Sequence, residues 1–100
     1  MSALFWNNQR RTVGGENGPN SLSDLKIVIA GKLKQQGFTD IRRNDLEVAG
    51  NKNGCVLSIG HFRAAPGEFW EVVMCGGTDG PTTQRTVNET VAMLAGLKFF

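Results

Sequence analysis

The residues with the most chemistry in this 100-residue chain are its single histidine, His61, the carboxylate of Glu71, and its two cysteines, Cys55 and Cys75. An imidazole oriented by a carboxylate acts as a general base, and a thiol beside it as a nucleophile. Such chemistry requires all four groups on one surface. If residues 54–62 and 68–75 pair as antiparallel strands about Ala65, Cys55 opposes Cys75, and His61 and Glu71 share a face at diagonal positions. The spacing matches no protease or hydrolase signature. The plainer alternative is a solvent-edge histidine beside a charge and two reduced thiols, and it is the one adopted: the chain is expected to bind rather than to catalyse. Two cysteines and one histidine are too few for a four-ligand zinc site, so neither metal nor cofactor is expected.

A second chemical feature is an internal echo. Residues 14–21 read GGENGPNS and residues 76–83 read GGTDGPTT, each leading into a helical pattern. Glycine-rich turns at helix N-termini present free N–H groups that bind anions. Gly76, Gly77, Thr82, Thr83 and Arg85 are therefore the anion-binding candidates. Neither stretch ends as a P-loop does, and ordinary turn chemistry, the reading preferred, explains both.

These residues must be held by a small set of elements. Leu22, Leu25, Ile29 and Leu33, with Val28 beside them, form one helical stripe, and Gly37-Phe38 fits a left-handed terminator with Phe38 packing back on Leu33. Val87, Thr90, Val91, Leu94 and Leu97 form a second stripe, starting between Thr82 and Thr86. Three segments between them, 41–49, 54–62 and 68–75, have strand character. Asn51-Lys52-Asn53-Gly54 fits a bulged type I turn, and 63–67 holds Pro66 and Gly67. The expected fold is α+β: a two-layer sandwich in the order αβββα, its three-stranded antiparallel meander covered on one face by two helices. Residues 1–20 form an N-terminal arm or a fourth, edge strand with a Gly-rich loop, and residues 21–100 form the single α+β domain.

With the bulged turn, even positions share one face across all three strands. That face is assigned to the helices because its charged members, Arg42 and Glu68, lie near strand ends. The odd face then carries Leu57, Ile59, Phe69 and Val73 with nothing over them. Exposing such side chains forfeits roughly 1.5–3 kcal/mol each. These four are therefore the expected interface residues of a homodimer, and Ile59→Asp is expected to separate the copies.

Composition narrows the remaining classes. With 40% hydrophobic and 20% charged residues, the chain suits one small core, and no run of about 20 apolar residues suggests a membrane span. Its opening residues lack the basic start of an export signal, so a cytoplasmic location is expected. The net charge of +2 gives little drive toward nucleic acid. Single-stranded nucleic acid ranks third, resting on Lys26, Lys32, Lys34, Arg10, Arg11, Arg42 and Arg43 with the aromatic residues Phe62, Phe69 and Trp70. The first expectation is a self-associating interaction domain. The second is a small-ligand or anion site, catalytic or not, at His61 and Glu71 or at the Gly76–Arg85 loop.

Overall fold

The structure, a computed structural model, describes residues 4–11, 22–65 and 68–97. Strands β1 (Leu4–Arg11), β2 (Thr39–Arg43), β3 (Glu47–Lys52), β4 (Cys55–Ala65) and β5 (Glu68–Gly76) form one sheet, with α1 (Leu22–Gln35) after β1 and α2 (Gly80–Gly96) after β5. The order across the sheet is β1-β5-β4-β3-β2, and every neighbouring pair is antiparallel. The meander thus runs from β2 to β5, and the N-terminal strand lies along the outer edge of β5. Both helices lie on one face, α1 over β2 and β3, α2 over β5, β4 and β1. This is the two-layer α+β sandwich expected from the sequence, with four strands in the meander rather than three.

The extra strand comes from Asn44. Its side-chain oxygen accepts hydrogen bonds from the N–H groups of Leu46 and Glu47 at 2.8 and 3.0 Å, closing a turn inside the segment 41–49. Lys26 of α1 secures that turn from beneath. Its ammonium is buried and donates to the carbonyl oxygens of Asn44 and Asp45 at 3.0 and 2.6 Å.

Helix α1 buries Leu22, Leu25, Ile29 and Leu33, while Val28 lies at the solvent edge. It ends as its glycine predicts. Gly37 takes φ +90°, its N–H reaches the Lys34 carbonyl, and the Phe38 N–H reaches the Leu33 carbonyl, both at 3.1 Å. Phe38 is thereby turned into the same core as Leu33.

Helix α2 begins earlier than its apolar stripe suggested. Asp79 is its N-cap: the carboxylate accepts from the Thr82 N–H at 2.7 Å and from the Thr82 hydroxyl at 3.0 Å, with Pro81 in the first turn. Thr83, Thr86 and Thr90 are buried, and each hydroxyl donates at 2.8 Å to the carbonyl four residues earlier. Their polar atoms are satisfied within the helix, leaving the methyl groups to pack.

The cap makes a pH prediction. Hydrogen bonds from Thr82 hold the Asp79 carboxyl below its usual value of 3.8, so protonation is harder in the folded state than in the unfolded chain. A depressed folded value means that the cap stabilises fully above the unfolded value and is lost as pH falls through the carboxylate range. Asp79→Ala should therefore lower the melting temperature at pH 7, and the gap to the parent should narrow below about pH 4. Thermal scans at both pH values check this; an equal gap at both would contradict it.

Candidate functional site

The turn between β3 and β4 decides which residues face the helices. Asn53 and Gly54 both have positive φ, +53° and +79°, and Lys52 pairs directly with Cys55. This is a two-residue hairpin loop of the type I′ class and not the bulged turn expected above. One residue fewer in the loop reverses the parity of β3 relative to β4. Val48 therefore lies beside Ile59, and both are fully buried.

The helix-facing side of the sheet is built from Val48, Cys55, Leu57, Ile59, Val73 and Cys75, packed with Leu25, Ile29, Leu33, Val87 and Leu94. The interface assignment of Leu57, Ile59 and Val73 is thus corrected: the helices cover them. The side chain of Phe69 lies outside the described residues. The physical reason for the reversal is His61 and Glu71. Their polarity argued for an outward face, but the two are directly opposed in the β4–β5 register and buried together, Nε2 to Oε2 3.8 Å apart. A buried carboxylate facing an imidazole offsets part of the desolvation that made this face look unsuitable for a core.

The same register moves the cysteines. Leu57, not Cys55, opposes Cys75, so the two thiols are diagonal neighbours. Both are free and buried. Burial first, and then the hydrogen bond and charge of Cys55, push the Cys75 thiol up to about 12. At neutral pH it is a protonated thiol and a poor nucleophile. Ellman's reagent should therefore react slowly with the native protein and release two equivalents once urea is added; rapid labelling without denaturant would contradict the burial.

At the loop before α2, the donors proposed for an anion serve the chain itself. Thr82 donates to Asp79, Thr83 is buried with its hydroxyl on the Asp79 carbonyl, and Arg85 is exposed on the helix beyond. The Asp79 carboxylate occupies the N-terminus of α2, the position that an external anion would take. The first copy of the glycine echo, residues 14–21, lies outside the described residues. Of the basic residues considered for nucleic acid, Lys26 is buried in a structural role, and the side chains of Arg10 and Arg11 are outside the described residues.

What remains open is the other side of the sheet. Val56, Trp70 and Met74 are 53%, 39% and 44% exposed, and Leu46 at the Asn44 turn is 69% exposed. Between them lies a groove of about 420 Å³, lined by Leu46, Glu47, Ser58, Gly60, Val72 and Met74. Gly60 contributes no side chain, which leaves the dip between Glu47 on β3 and Val72 on β5, its partners on either side. The Ser58 hydroxyl donates to the Glu47 carboxylate and so orients it along the groove. At the β2 edge, Arg42 donates to the Asn51 side-chain oxygen at 3.4 Å, and the Asn51 amide donates to Asp40 at 3.3 Å.

Sequence reasoning assigned these apolar residues to the core, weighed Arg42 only for nucleic acid, and gave Glu47 and Ser58 no functional role. Asn53-Gly54 was the signal that could have found them, since that dipeptide favours the two-residue turn.

Among the described residues, no helix is long and apolar enough to cross a membrane, and no group of three His, Cys, Asp or Glu side chains is placed to hold a metal ion. No protein-family model matches the chain, and no curated protein or solved structure does either.

Proposed function

We propose that this chain is a non-enzymatic interaction domain that works as a homodimer, two copies packing the open faces of their sheets together. The observation that carries it is the row of exposed apolar side chains, Leu46, Val56, Trp70 and Met74, on the face opposite the helices. Soluble monomers rarely leave large contiguous apolar patches uncovered. The area also supports it. Strands of five to eleven residues, spaced about 4.8 Å apart with about 3.3 Å per residue, give each sheet roughly 600 Å² of plane, near the ~800 Å² per partner of a standard interface. A cytoplasmic setting suits the two buried thiols.

Light scattering coupled to size exclusion tests the dimer. Val56→Asp and Met74→Glu should each yield a folded monomer with unchanged helical circular dichroism. A dimer that persists in both variants would place the contact elsewhere.

The groove of about 420 Å³ supports a second reading, an apolar small ligand bound on the sheet. In that case the parent protein is a monomer, and a fluorescent apolar probe binds it but not a Gly60→Leu variant.

A further inference from the structure

We infer that the groove beside Glu47 is the socket for Arg42 of a second copy, so that two reciprocal Arg42–Glu47 pairs set the register of the dimer. This rests on the homodimer proposed above and specifies it. Arg42 pairs with Ala49 across β2 and β3, which puts it on the open face with Glu47, whereas Arg43 pairs with Val48 on the helix side. Lys52 lies by Glu89 of α2, and Lys26, Lys32, Lys34 and Arg85 belong to the helices. Among the residues whose side chains are described, Arg42 is thus the cation of the open face and Glu47 the anion next to the groove. No described ion pair joins them within one chain.

The register allows the pairing to be placed. Val48, Ile59 and Val73 form one row across β3, β4 and β5. A two-fold axis lying between two stacked sheets and crossing the strands along this row exchanges outward positions on either side of it. Ser58 then lies over Gly60 of the second copy, Val72 over Met74, and Trp70 over Gly76, so a small residue meets a larger one at two of these three positions. Arg42 occupies the row of Ala49, Ser58 and Met74, and the axis carries it to the row of Glu47, Gly60 and Val72. That row is the groove. Arg42 of the second copy arrives about one strand spacing, ~4.8 Å, to the side of Glu47. There it lies over Asn44, at the β2 end of the groove, where Leu46 suits its methylene stem and the Glu47 carboxylate suits its guanidinium. A face carrying one cation and one anion at positions exchanged by the axis is self-complementary, as an isologous contact requires.

Charge exchange tests this. Arg42→Glu and Glu47→Arg, purified separately and shown to be folded by circular dichroism, should each self-associate roughly tenfold or more weakly than the parent. Mixed in equal amounts, they should form a heterodimer of near-parental affinity, because each then supplies what the other lacks. Parental self-association by both single variants, or no recovery on mixing, would overturn the pairing. If Val56→Asp still disrupts the parent dimer in that case, the sheet-to-sheet contact stands without its charge register. A parent that is monomeric throughout would overturn both.

Discussion

Replacing Ile59 by aspartate should abolish the cooperative fold, while Val56→Asp on the same strand should leave it intact. Ile59 is fully buried in the cluster joining the sheet to α1 and α2, and Val56 is 53% exposed on the other face. An aspartate at position 59 loses the ~1.5–3 kcal/mol of isoleucine burial and adds the cost of a desolvated carboxyl group without a partner, several kcal/mol even if it takes up a proton. Together these approach the 5–15 kcal/mol that holds a domain of this size together. At position 56 neither cost arises, since the carboxylate stays in water. Urea unfolding followed by far-ultraviolet circular dichroism distinguishes the two: no transition for Ile59→Asp and a near-parental midpoint for Val56→Asp are expected. The opposite order would mean that the helices cover the even face of β4, as parity with a bulged first turn had suggested.

The second large effect is expected at Glu71. Its carboxylate lies 3.8 Å from the His61 imidazole, with both side chains out of contact with solvent. Removing one member of a buried pair costs about 3–5 kcal/mol, whereas replacing both by apolar residues of similar volume is often neutral. Glu71→Ala should therefore destabilise strongly, and His61→Leu with Glu71→Leu should be much milder than the sum of the two single changes. A double-mutant cycle of urea midpoints measures the coupling. Additive effects would show that the two groups do not act as a pair and that their proximity carries little stability.

Much of the architecture can be traced to short local signals. The Leu22, Leu25, Ile29, Leu33 stripe and the Gly37 terminator define α1, and the hairpin compositions define the antiparallel meander. The existence of an open apolar face was also legible, because two helices cannot cover both sides of a sheet that is apolar on each. Which side they cover was not legible from residue types. It turned on a single residue in the 51–54 turn and on whether His61 and Glu71 compensate each other across the β4–β5 register. Both are pairwise facts: a glutamate and a histidine look like surface residues until their alignment is known. The register itself differs by two from a hairpin centred on Ala65: Ala65 pairs with Glu68, so the chain turns beyond Ala65, and the irregularity between Arg63 and Ala65 gives back only one residue. That shift separated the cysteines and aligned His61 with Glu71.

The mass of the parent protein in solution tests the proposed function most directly. At micromolar concentration, light scattering should give about twice the 10.9 kDa of the chain for the parent and a single chain for Val56→Asp. A parent mass of one chain at every concentration would contradict the homodimer and leave the apolar face of Val56, Trp70 and Met74 to a different occupant.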